Sequence, residues 1–124
     1  ENGNVIIWDF SSRSQLNNLR GHRAQIRQLK FSPDGSLLAS SSYDESVRIW
    51  ETADLNNQPI VLNANSGYIF SVAFSPDSKS LITGSRSIIR CLMLSAESAS
   101  LINIPRTNTN NTAMTFLSFI IKSP

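Results

Sequence analysis

The feature that most constrains this chain is a repeat. Phe31-Ser32-Pro33-Asp34-Gly35 returns 43 residues later as Phe74-Ser75-Pro76-Asp77-Ser78. At that shift seven of the twenty-one positions from His22 to Ser42 are identical, among them Ile26/Ile69, Leu38/Leu81 and Ser42/Ser85. A partial third copy lies upstream, where Val5-Ile6-Ile7-Trp8-Asp9 matches Val47-Arg48-Ile49-Trp50-Glu51 at a shift of 42. A chain that repeats itself at this interval is built from one supersecondary unit copied in series, each copy burying apolar surface against the next.

Within one copy the residues alternate between short strands and turns. Ile26, Leu29 and Phe31 mark an apolar strand, and Pro33-Asp34-Gly35 supplies a turn in which proline presets φ and glycine accepts φ > 0. Leu37 to Ser42 reads as a second strand, Tyr43-Asp44-Glu45 as a tight turn, Ser46 to Trp50 as a third strand and Pro59 to Leu62 as a short fourth. A turn signal every 8–12 residues predicts an all-β sandwich or propeller, and the period of about 42 to 43 selects a four-stranded propeller blade. Composition agrees. Charged residues make up 16% of the chain, against a usual share of about 25%. Ser, Asn and Thr take their place, which suits strands joined by polar turns better than long surface helices.

Several classes of function are disfavoured. The net charge is +2 and the eleven basic residues are scattered, so neither a nucleic-acid groove nor an anionic-membrane patch is expected. Arg48, Arg86 and Arg90 alternate with apolar residues and read as solvated or stacking side chains. Cys91 is the only cysteine; it cannot form an intrachain disulfide, and in the place of Ile49 it reads as a small buried hydrophobe. The stretch Phe116 to Ile121 is too short to span a bilayer as a helix. The first four residues lack the basic region of a signal peptide. The sequon at Asn110 falls in a Thr/Asn-rich stretch and reads as chance.

Four elements stand in order at fixed spacing: Gly21-His22 nine residues before the Phe31 turn, the turn itself, Leu38-Ala39-Ser40-Ser41-Ser42 followed by Asp44, and Val47 to Glu51. Together they resemble a WD40 repeat, over residues 1 to about 104. The resemblance implies an all-β chain of WD40-type β-propeller blades, each a four-stranded antiparallel sheet, in an incomplete ring. Residues 1–20 would end an upstream blade and supply a linker strand. Residues 21–62 would form a well-preserved repeat and 63–104 a degenerate one. Residues 105–124 would make a loop and the first strand of a next blade. The chain begins at the hairpin dipeptide Asn2-Gly3 with no strand before it. It is therefore expected to be a fragment, an incomplete product, or a unit closed by missing blades or self-assembly. Left unpaired, Phe116 to Ile121 would be aggregation-prone.

The resemblance also implies residue roles. A hydrogen-bonded set of His22, Ser40, Asp44 and Trp50 would tie the inner strands to the outer connection, with Ser40 accepting the buried indole N–H and donating onward. In the second copy Asn65 and Leu92 replace the His and Trp, Thr83 keeps the hydroxyl, and a one-residue deletion removes the Asp. Upstream, Trp8 survives with Asn2 at the Asp position; Trp8 and Trp50 read as packing residues. The expected partner-binding face comprises Gln25, Arg27 and Tyr43 from one blade and Tyr68, Phe70 and Arg86 from the next. Tyr and Arg are favoured at binding hot spots, and the mixture suits an acidic or phosphorylated segment.

The function expected is therefore a non-enzymatic scaffold for other proteins or peptides, intracellular and cytoplasmic, with no cofactor, metal, nucleic acid or membrane. His22 is the only histidine and no second His or Cys is placed to share a metal with it. No Gly-x-Ser-x-Gly segment supplies a nucleophile. The alternative is a segment of a propeller enzyme or its gating domain, of the TolB-like or peptidase-associated kind, which shares the Ser-Pro-Asp-Gly turns.

Overall fold

The computed structural model describes residues 3–63, 67–85, 89–94 and 99–103, with side chains placed within 3–63 and 67–85. Ten strands follow one another: β1 (Val5–Asp9), β2 (Ser14–Leu19), β3 (Ile26–Phe31), β4 (Leu37–Ser42), β5 (Ser46–Glu51), β6 (Ile60–Asn63), β7 (Ile69–Phe74), β8 (Ser80–Ser85), β9 (Ile89–Leu94) and β10 (Ala99–Asn103). β1 and β2 form a two-stranded sheet, β3 to β6 a four-stranded sheet in sequence order, and β7 to β10 another. All pairs are antiparallel. Among the described residues the structure is all-β, and its four-stranded antiparallel sheets are those that the resemblance implied, with no closed ring formed by the described sheets.

The repeated turns explain why the strands start where they do. After β3, Asp34 Oδ1 accepts from the Ser32 hydroxyl at 2.6 Å and the Ser36 amide at 3.0 Å, and Gly35 takes φ 74°. After β7 the same arrangement recurs: Ser75 Oγ donates to Asp77 Oδ1 at 2.5 Å and the Lys79 amide to the same oxygen at 3.0 Å. There Ser78 stands for the glycine, at φ 60°. Its hydroxyl accepts the Asp34 amide at 3.2 Å, so the two turns are tied across adjacent sheets.

The central sheet is buried on both faces. Leu38 and Trp50 pack with Val5 and Leu19 of the β1–β2 sheet, joined by Ile7, Ile26 and Leu55. Ala39, Val47, Ile49 and Leu62 pack with Ile69, Val72 and Leu81 of the β7–β10 sheet. Each fully buried aliphatic side chain of this kind is worth roughly 1.5–3 kcal/mol of transfer free energy. Between the sheets the Gln28 carboxamide oxygen also accepts the Val72 amide at 2.7 Å.

Trp8 departs from expectation. It is 60% exposed, whereas Trp50 at the matching position is 3% exposed. The reason is the missing cover: Ile6 and Trp8 are alternate residues of β1, and among the described residues no further sheet packs over them. Leu29 and Phe31 of β3 are exposed for the same want of a neighbour.

Gly3 shows how tightly the first two sheets meet. It is buried at φ 56°, and a Cβ there would intrude on the His22 carbonyl, with the carbonyl carbon only 2.7 Å away. Backbone cannot swing aside as a side-chain end can. Gly3→Ala is expected to cost about 1–3 kcal/mol in a chemical denaturation experiment; an unchanged midpoint would show that the sheets separate freely.

Candidate functional site

Behind the site lies the hydrogen-bonded set. His22 Nε2 meets Ser40 Oγ at 2.6 Å and Nδ1 meets Asp44 Oδ2 at 2.8 Å. Burial pushes the His22 pKa down, and its bond to Asp44 opposes this only in part. Burial pushes Asp44 up, but the Ser46 hydroxyl, the Arg23 amide and His22 together outweigh it and hold the carboxyl at about 2. A neutral imidazole beside an ionised carboxylate fixes the tautomer: Nδ1–H donates to Asp44, and Nε2 accepts from the Ser40 hydroxyl.

Two details differ from the sequence reading. No described hydrogen bond joins the Trp50 indole to Ser40. In the β4–β5 ladder Trp50 faces Leu38, and Ser40 faces Arg48. Trp50 instead meets His22 edge-on, with ring centroids 6.2 Å apart at 74°. Second, Ser46 joins the set, its hydroxyl donating to Asp44 Oδ1 at 2.6 Å. Nothing in the sequence marked it, because a serine two residues after a turn aspartate reads as turn filler. The order Ser40–His22–Asp44 matches that of a hydrolase relay. Ser40, however, is fully buried, so its hydroxyl meets no substrate.

Asp44 also fixes the turn that carries Tyr43. Its carboxylate accepts the Arg23 amide at 2.9 Å and the Ser46 amide at 3.0 Å. The Tyr43 amide donates to the Gln25 carbonyl at 3.0 Å. Tyr43 is thereby held beside residues from the next sheet: its ring centroid lies 4.6 Å from that of Tyr68 and 5.7 Å from that of Phe70, the latter edge-on at 79°. The Arg27 guanidinium stands over the Tyr43 ring, 5.1 Å from its centroid, within the range of a cation–π contact.

Two bulges aim these side chains. Ile26 and Arg27 together face Ser42 in the β3–β4 ladder, and Ile69 and Phe70 together face Ser85 in the β7–β8 ladder. The extra residue of each pair, Arg27 and Phe70, leaves the pleat and turns outward, as bulged residues do. No Gly or Pro marks either bulge in the sequence. Of the six expected face residues, Arg27, Tyr43, Tyr68 and Phe70 form one cluster, and Gln25 is exposed next to it. Arg86 and Asn65 lie outside the described residues, as does the side chain of Cys91. Tyr68 is 53% and Phe70 41% exposed. The shelf is apolar and open, and among the described residues the Arg27 guanidinium flanks it, an arrangement suited to gripping a side chain of another molecule. Among the described residues no group of three or more His, Cys, Asp or Glu is gathered as a metal site.

The family model described as "WD domain, G-beta repeat" matches residues 13–51 and 56–92. Human WD repeat and SOCS box-containing protein 1 is 43% identical over 81 residues, 64% of this chain and 19% of that protein. The Periodic tryptophan protein 2 homolog of Schizosaccharomyces pombe is 32% identical over 83 residues, 65% of this chain and 9% of that protein. Human Apoptotic protease-activating factor 1 is 36% identical over 67 residues, 53% of this chain and 5% of that protein. The chain thus spans less than a fifth of the length of each.

Proposed function

This chain belongs to the WD40 repeat family, and from that premise we propose that it is a non-enzymatic module that docks a segment of a partner protein on the shelf formed by Tyr43, Tyr68 and Phe70. The observation that carries this is the sharing of one exposed aromatic surface by two sheets whose cores are already filled. Exposed Tyr and Phe rings held in place by bulges and by a hydrogen-bonded turn need no ordering when a ligand arrives, which favours binding. Arg27 and the exposed Gln25 favour an acidic segment, with a carboxylate or phosphate reaching the guanidinium while an apolar neighbour lies on the rings. A cytoplasmic setting accompanies this function. The open faces at Ile6, Trp8, Leu29 and Phe31 are completed by further blades, supplied by the same polypeptide or by another copy.

Quantitative capture of proteins by the wild type and by a Tyr68→Ala/Phe70→Ala variant tests the shelf. Both positions are exposed, so the variant should keep its thermal transition within a few degrees. Its specific partners should bind at least about tenfold more weakly, the loss of roughly 1.4 kcal/mol expected from hot-spot truncation. An identical set of partners captured with equal strength would remove the shelf from consideration. Within that design, Arg27→Glu should discriminate most against acidic partners.

A further inference from the structure

A second surface, separate from the aromatic shelf, lies where β2 passes the loop joining β5 to β6. Asn17, Asn18 and Arg20 border it on one side and Asn56, Asn57 and Gln58 on the other, around a notch of about 220 Å³. Trp50, 3% exposed, forms part of its floor.

Both walls are fixed. On the loop side the Asp54 carboxylate accepts the Asn56 amide at 3.1 Å, and its carbonyl accepts the Asn57 amide at 3.2 Å. On the strand side Asn17 Oδ1 accepts the Asn18 amide at 2.7 Å. One long bond spans the gap, Asn17 Nδ2 to Asn56 Oδ1 at 3.4 Å. Among the described residues the Asn18 carboxamide oxygen is buried with no hydrogen-bond partner, although an orphaned acceptor of this kind costs about 1–3 kcal/mol.

Five carboxamides around one small space is an unusual concentration of a single chemistry. Each offers N–H donors and a C=O acceptor in one plane, the same pairing that a peptide bond presents, so a carboxamide can match a backbone amide group for group. The lining holds no carboxylate and one guanidinium, so the occupant must offer an acceptor to Arg20 as well as both halves of an amide to the carboxamides. A main chain supplies carbonyls for Arg20 and the carboxamide N–H groups, and N–H groups for the carboxamide oxygens that border the notch. The volume, roughly that of seven water molecules, admits one or two residues.

We propose that this notch is a second binding site, which takes the main chain of a short extended segment from a partner polypeptide. It does not depend on the aromatic shelf, because no residue is shared between the two.

The test uses the full chain and two probes, the capped peptide acetyl-Gly-Asn-Gly-amide and its analogue with N-methylated peptide bonds. Side-chain carboxamide and indole N–H resonances are followed by NMR during titration. The parent peptide should shift those of Asn17, Asn18, Asn56 and Trp50 saturably, with a dissociation constant on the order of millimolar as for a small fragment. The N-methylated analogue, which keeps its carbonyls and loses the N–H donors of its peptide bonds, should bind at least about tenfold more weakly. So should an Asn56→Ala/Asn57→Ala variant, whose changes lie on an exposed loop and leave its thermal transition in place, while Tyr68→Ala/Phe70→Ala should bind the probe as the wild type does. Shifts that fail to saturate, equal binding of both probes, or unchanged affinity in the Asn56/Asn57 variant would each overturn the proposal and leave a notch filled by solvent.

Discussion

Trp50→Ala is expected to lower the unfolding free energy by about 3–5 kcal/mol, the range for truncating a buried aromatic residue. The indole is 3% exposed and packs with Val5, Leu19 and Leu38, so its removal opens a cavity between the first and central sheets. It also removes the edge-on neighbour of His22. Domains carry only about 5–15 kcal/mol in total, so the melting temperature should fall by roughly 10–20 °C, read by calorimetry or far-UV dichroism. Trp8→Ala is the matched control. Its side chain is 60% exposed, and for this chain measured alone at concentrations where it is monomeric a loss near zero is expected. Equal losses at the two tryptophans would mean that the chain buries both in solution, as it would if further blades or copies covered β1.

Asp44→Ala is expected to cost about 2–4 kcal/mol, because four donors lose one acceptor group: the His22 Nδ1–H, the Arg23 amide, and both the amide and hydroxyl of Ser46. Orphaned buried donors are penalised more than a lost bond is rewarded. The same carboxylate makes stability depend on pH. Asp44 ionises near 3.8 in the unfolded chain and at about 2 in the folded one, so the unfolded state takes up a proton first. Its contribution is complete above that unfolded value and is lost as pH falls toward 2. After discounting for solvent screening of a partly exposed group, about 1–2 kcal/mol is at stake. His22 acts in the same direction at higher pH. Its folded value lies below 6.5, so the unfolded chain protonates first and stability starts to fall as pH drops below that value. Denaturation midpoints measured from pH 7 downward should therefore decline in two stages. Asp44→Asn should shrink the lower stage without abolishing it, because Asp9, Asp34 and Asp77 are also held below their ordinary values by turn hydrogen bonds. A stability that rose on acidification would contradict the neutral histidine.

The strands were legible because their information is local. Leu37 to Ser42 and Ser46 onward were readable from alternation between two turns of known chemistry, and the period multiplied each identification. The cluster of Arg27, Tyr43, Tyr68 and Phe70 was reachable for a related reason, since a fixed repeat places equivalent positions side by side. What could not be read depends on register and on side-chain reach. The bulges at Arg27 and Phe70 add one residue to a ladder without any Gly or Pro to announce them. Whether Ser40 faces Trp50 or Arg48 is a matter of one ladder position. The bond from Val72 to Gln28 joins residues 44 apart, and nothing about a glutamine in an exposed-looking strand names its partner. Trp8 is exposed among the described residues although its sequence position reads as packing, because a sequence shows a side chain's preference for cover and cannot show whether the cover is present.

The core between the central and third sheets is divided between them, with Ala39, Val47, Ile49 and Leu62 on one side and Ile69, Val72 and Leu81 on the other. A cut at the repeat boundary near residue 63 would therefore split a hydrophobic core, and a cut between β4 and β5 would split it again by parting Ala39 from the rest. The unit that recurs in the gene is thus not a unit that buries its own apolar residues, and a single copy moved elsewhere would need a neighbour of matching face to keep its packing.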